Sequence, residues 1–205
     1  MTFMTSRYRS IRDRVHQLAK AAEISSAFNV SAHGYQLNPP LSEKELRSFE
    51  ARHQVRLPEE YRNFLQHVGN GGAGPYYGLY PLEQSHPFQM YTDSYFEKIR
   101  AQAGEDGLFM HLHKRFPYDS RKSSENYELF LKLENEEDWR GNEALSGLLF
   151  LCTWGCTHYN VLEVTGEQPG RVWYWDMGGD ETAHVMDGSF LDWYERWAQN
   201  PGEFL

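Results

Sequence analysis

Apolar residues recur with the period of a helix in the first part of the chain and with the period of a strand in the last third. Ile11, Val15, Leu18 and Ala22 share one face of a predicted helix over Arg7 to Ala22, with Arg9, Arg12, Arg14 and Lys20 largely off it on a solvated side. The period lapses over Phe28 to Pro40, a linker with Gly34, Asn38, Pro39 and Pro40 as breakers. A second helix starts after Ser42. Ser42 and Glu45 have the spacing of a capping box, Leu41 and Leu46 hold the two positions of a hydrophobic staple, and Phe49 extends the buried face. In a third helix Tyr61, Phe64, Leu65 and Val68 fall on one face, with Pro58 at the first helical position and Gly69 as the left-handed residue that stops it.

Downstream the period changes. Tyr76, Tyr77, Leu79, Tyr80 and Leu82 predict a short extended segment, and the mixed stretch after it predicts a helix near Ser94 to Ala103 and a strand near Leu108 to Leu112. Strands follow over Leu148 to Thr153, Tyr159 to Thr165, Val172 to Asp176 and Thr182 to Met186, with Gly155 in the first link and Gly-rich turns in the others. Short links between consecutive strands imply an antiparallel meander. Ser189 caps a last helix whose Phe190, Trp193, Tyr194 and Trp197 share a face, and Pro201-Gly202 ends it. Helices, a meander and a closing helix predict an α+β fold: an antiparallel curved sheet with helices packed mainly on one side. Residues 1–205 read as a single domain, with 1–34 an N-terminal helix and linker and 84–146 an elaborated insert.

Composition narrows the class. A hydrophobic share of 40% with 15% aromatic residues is ample for a core, while a mean hydropathy of -0.71 and no membrane-length apolar run predict a soluble protein with no membrane partner. Met1 to Ser10 has arginines but no apolar signal core, which points to the cytosol. The net charge of -9 is unevenly spread. Residues 1–124 carry 16 Lys+Arg against 13 Asp+Glu, whereas residues 125–205 carry 4 against 16. An acidic field of that strength disfavours nucleic acid and favours a basic protein partner; an idle solvated surface is the alternative.

Several stretches carry candidate chemistry. Gly69-Asn70-Gly71-Gly72-Ala73-Gly74 fits G-x-G-x-x-G, but a helix precedes the glycines and none opens after them, so the negative end of the helix dipole faces the loop and a phosphate cradle is excluded. Cys152, Cys156 and His158 form C-x3-C-x-H. Two cysteines in one extended strand would lie roughly 13 Å apart, and no fourth ligand is near in sequence, so two reduced thiols are expected rather than zinc. A Cys156–His158 nucleophilic pair has no third group in sequence to orient its base. His111 and His113 share one face of the predicted strand and equally lack further ligands. No cofactor or metal is expected. Glu136, Glu137 and Asp138 lie in the acidic run from Glu134 to Trp139, and Asp176, Asp180 and Glu181 flank the Gly178-Gly179 turn. Trp173 and Trp175 share a strand face, read as core rather than contact.

The run "LSEKELRSFEARHQVRLPEEYRNFLQHVGNGGAGPYYGLYPL", with "GCTHYNVLEVTGEQPGRVWYWD" and "SFLDWYERW" later, resembles the SUKH superfamily of Smi/Knr-type proteins. The matching features are Glu50, Leu57-Pro58, Tyr61, Phe64, Leu65, Asn70-Gly71-Gly72, Gly155, Gly166, Gly170, Trp173 and the aromatic helix from Phe190 to Trp197. The resemblance spans about residues 35–83 and 147–198. It implies an α+β fold, no catalytic residues and, as in bacterial members, an immunity protein that neutralises a cognate polymorphic toxin, often a nuclease. Asp176, Asp180, Glu181, Glu136, Glu137 and Asp138 are the expected charged contacts of a basic toxin, and Tyr76, Tyr77 and Trp154 the expected aromatic ones. The rival expectations are an intracellular scaffold or regulator of the yeast type and an enzyme using Cys156 or the histidines.

Overall fold

The computed structural model describes residues 2–21, 28–86, 109, 111–122, 125–129, 143–156, 158–176 and 183–204. Helix α1 spans Thr2–Ala21, α2 Phe28–His33, α3 Glu43–His53, α4 Glu59–His67 and α5 Phe190–Gln199; the strands are β1 Leu148–Gly155, β2 His158–Glu163, β3 Val172–Asp176 and β4 His184–Asp187. The strands form one antiparallel sheet in the order β1-β2-β3-β4, so the meander and the α+β fold are as expected. The pairing register shifts at Phe150/Cys152, Thr153/Gly155 and Val172/Trp173, interruptions of the ladder of the kind that bend and twist a sheet.

Both faces of the sheet are buried. Leu149, Leu151, Leu162 and Val172 face Leu46, Phe49, Phe64, Phe190 and Tyr194 in the larger core. Ring contacts tie α4 to α5: Tyr61 and Phe64 meet Phe190 at 4.9 and 5.2 Å, and Phe64 meets Tyr194 at 4.5 Å. On the opposite face Phe150, Tyr159, Val161, Trp173 and Trp175 are covered by Phe116, Tyr118, Ala144 and Leu145. The two β3 tryptophans are therefore core, each contributing about 5 kcal/mol at most from area buried. A strand buried on both sides also explains why "LLFLC" in β1 shows no alternation.

The local signals of α3 hold. Ser42 has extended backbone, its hydroxyl accepts from the Glu45 amide, and the Glu45 carboxylate accepts from the Ser42 amide at 2.7 Å. Glu50 joins α3 to the start of α4, accepting from the Leu57 amide at 3.1 Å and from Arg62 Nε at 3.2 Å. Glu163 closes the turn after β2 in the same way, accepting from the Gln168 amide at 2.8 Å and the Trp173 indole at 3.2 Å.

Other readings need correction. The expected linker from Phe28 begins with a helical turn and a half, α2, which Gly34 and Tyr35 end with φ of 53° and 56°. Pro58 stands one position before the first residue of α4. Gly69 is not left-handed; it is a close-approach glycine, since a Cβ there would lie 2.7 Å from the Asn38 carbonyl oxygen, and the positive φ values belong to Gly71 and Gly72. Residues 111–113 form turns rather than a strand, so His111 is buried and His113 exposed instead of sharing a face. The helix expected near 94–103 lies outside the described residues. A 3-10 turn, Pro201–Phe204, follows α5 and buries Phe204.

The arginines of α1 divide. Tyr8, Ile11 and Val15 are buried, and Arg9 and Lys20 are exposed as expected. Arg12 instead donates to the His67 carbonyl at 3.4 Å, and Arg14 to those of Ala198 and Gln199 at 3.1 and 3.4 Å, so both satisfy carbonyls at the C-terminal ends of α4 and α5. Arg7 pairs with Asp192 and Glu195 on α5. Among the described residues no helix is long and apolar enough to cross a membrane.

Candidate functional site

The loop 69–74 spends its donors internally. The amides of Gly69, Asn70, Gly72 and Ala73 donate to the carbonyls of Phe64, Pro39, Leu79 and Gln36 at 3.2, 3.3, 2.9 and 2.7 Å. These four bonds tie residues 36–39 and the end of α4 to the segment that follows, so the glycines serve a chain crossing rather than the N-terminus of a helix. That segment runs along the free edge of β1, with Tyr77 and Tyr80 amides donating to the carbonyls of Thr153 and Leu151 at 3.4 and 2.8 Å. It delivers two tyrosines to the end of the sheet where the β1–β2 hairpin turns and β3 finishes.

At that end the helix-side face of the sheet is overlaid by the tyrosine loop and by Phe204. Tyr76, in left-handed backbone with φ 54°, stacks on Trp154 with ring centroids 4.3 Å apart and planes 24° from parallel. Phe204 lies 6.0 Å away, edge-on. Burial pushes the Tyr76 hydroxyl up, so it stays protonated. The Tyr77 ring sits beside Gly155, where a Cβ would meet it at 3.5 Å. Gly155 has φ 104°, and Cys156 follows in left-handed backbone at φ 49°, which together make the hairpin corner.

Registers place Cys152, Asn160, Tyr174 and His184 in one row across the four strands, with His158 opposite Asp176 two positions further along β2 and β3. The Trp154 indole donates to Asn160 Oδ1 at 2.7 Å and meets Tyr174 edge-on at 5.0 Å. Tyr174 lies between two histidines: the His184 ring is 4.8 Å away, and His158 Nδ1 is 2.6 Å from the Tyr174 hydroxyl. Asp176 is 3% exposed, with its carboxylate 3.7 Å from His158 Nδ1.

Tyr76, Tyr77 and Trp154, expected as aromatic contacts, are thus brought together, each half-buried. Asp176 reaches the same end but is buried against His158. Asp180, Glu181, Glu136, Glu137 and Asp138 lie outside the described residues. Sequence reasoning missed Asn160, Tyr174 and His184; the available signal was the lone amide in the apolar run of "HYNVLE".

The cysteines occupy different environments. Cys152 is fully buried, and burial pushes its thiol up, away from the reactive thiolate; Cys156 is exposed at the corner. Among the described residues, no three His, Cys, Asp or Glu side chains are grouped to hold a metal ion. A concavity of about 830 Å³ lies on the opposite face, over Trp173 and Glu163. Six of its lining charges pair with one another, Arg115 with Glu167 at 2.8 Å, Arg121 with Asp119 at 2.7 Å and Lys122 with Glu125 at 2.8 Å.

The model of the SMI1/KNR4 family (SUKH-1) matches residues 40–196, which include the whole sheet, the tyrosine loop and most of α5. No curated protein and no solved structure matches the chain.

Proposed function

Because the chain belongs to the SMI1/KNR4 family (SUKH-1), we propose that it is a non-catalytic binding protein, an immunity protein that occludes a cognate toxin domain of basic character. The observation that carries this reading is the convergence of Tyr76, Tyr77 and Trp154 at one end of the sheet. Large rings held half-exposed on a rigid support supply desolvated anchors at low cost in side-chain entropy, as the energetic centres of tight interfaces do. The acidic balance of residues 125–205 complements a basic partner and raises its encounter rate. Asp180, Glu181, Glu136, Glu137 and Asp138 remain the proposed charged contacts; Asp176, 3% exposed and turned to His158, is too buried to be one. Against a nuclease toxin, carboxylates stand in for substrate phosphates, and inhibition needs no bond made or broken.

The test is protection of growing cells. The reading expects a basic toxin to be encoded beside this chain's gene; expressing it should arrest growth, co-expression of the chain should restore it, and Trp154→Ala with Tyr76→Ala should abolish the rescue while leaving the chain folded. Failure of the unaltered chain to protect or to form a complex would instead favour the scaffold reading.

A further inference from the structure

Asn160 is out of place by composition. It sits in β2 among Tyr159, Val161 and Leu162, with none of its surface exposed. A buried amide is unfavourable unless its polar atoms are paired, and an aliphatic residue would serve a core alone. Both polar atoms of the amide are paired here, each in one sense only. Oδ1 accepts the Trp154 indole N–H at 2.7 Å and the Cys152 thiol at 3.5 Å, while Nδ2 donates to the Trp173 carbonyl at 3.4 Å. An indole nitrogen only donates and a backbone carbonyl only accepts, so the amide's orientation is fixed at both ends. Its shortest bond goes to the one tryptophan of the proposed contact set.

We infer that Asn160 is a positioning residue of the docking surface: from inside the sheet it holds the Trp154 indole in the orientation that stacks on Tyr76 and turns its edge to Tyr174. It touches no partner itself. The role rests on the docking reading above, but it can be read in the isolated chain.

The experiment labels the six tryptophans with 5-fluorotryptophan and follows their fluorine resonances, Trp154 being assigned by Trp154→Phe. In Asn160→Leu the Trp154 line should shift and split or broaden, while the Trp193 and Trp197 lines on α5 keep their positions. Asn160→Asp, which retains an acceptor for the indole, should return Trp154 to a single line. An unmoved Trp154 line in Asn160→Leu overturns the inference. A measurement without substitution stands beside it: in the unaltered chain the Trp154 indole proton should exchange with deuterium at least tenfold more slowly than an exposed indole, and exchange at the exposed rate also overturns it. If these results hold yet Trp154→Ala leaves toxin binding unchanged, the docking reading fails and the positioning role stands.

Discussion

His33 gives the chain a sensitivity to mild acid whose size follows from its surroundings. It ends α2 with its ring 5.4 Å from Tyr35 and 6.1 Å from Trp197, both edge-on, and its Nδ1 accepts the Tyr35 amide at 3.0 Å. Burial lowers its pKa from 6.5 to about 4. A proton on Nδ1 would also displace the Tyr35 amide. The unfolded chain takes up that proton below pH 6.5 and the folded chain does not, so stability falls as the pH drops from 6.5 to about 4 and changes no further through this group below that. The full gap corresponds to about 3 kcal/mol, reduced to about 1–2 kcal/mol because the ring is partly exposed. His33→Asn keeps an acceptor for the Tyr35 amide and cannot titrate. Urea unfolding at pH 7 and pH 5, which spans roughly half of that window, should show the unaltered chain losing about 0.5–1 kcal/mol more than His33→Asn between the two conditions. Equal losses would refute the reasoning, because other buried histidines act alike in both proteins.

Three further outcomes follow from named contacts. Glu163→Ala removes the acceptor for the buried Trp173 indole and the Gln168 amide, and should lower the unfolding free energy by about 1–3 kcal/mol in urea titrations. Arg14→Ala frees carbonyls at the end of α5 and should destabilise by about 1 kcal/mol, seen as a thermal midpoint about 2–4 °C lower. Glu43, bonded by Arg62 and Arg47, has its pKa lowered from 4.5 to about 2, so the stability it adds is complete above pH 4.5 and lost as the pH falls towards 2. Glu43→Gln should flatten that part of the acid-unfolding curve.

What could be read from the sequence was whatever a few neighbouring residues decide. The Ser42–Glu45 capping box is a contact between side chains and nearby amides, and it formed as read. The meander was legible because its links are too short for anything but antiparallel return. Gly69 misled because a glycine needed for close approach and one needed for positive φ look alike in sequence. "LFMHLH" alternates like a strand, yet the chain turns there to place Phe109 and Leu112 in the core. The α1 arginines read as solvated since their acceptors on α4 and α5 are more than fifty residues away. Within the site each aromatic residue could be nominated singly. That Tyr76 lies on Trp154 depends on how the loop follows the β1 edge, which no local pattern encodes.

Titration calorimetry of the proposed toxin partner against the unaltered chain and Trp154→Ala is the most direct trial. A loss of at least about 2 kcal/mol, or roughly thirtyfold in affinity, is expected for removing an anchor at the centre of the contact. Undiminished binding by a folded Trp154→Ala chain would contradict the account, because the partner would then be held elsewhere.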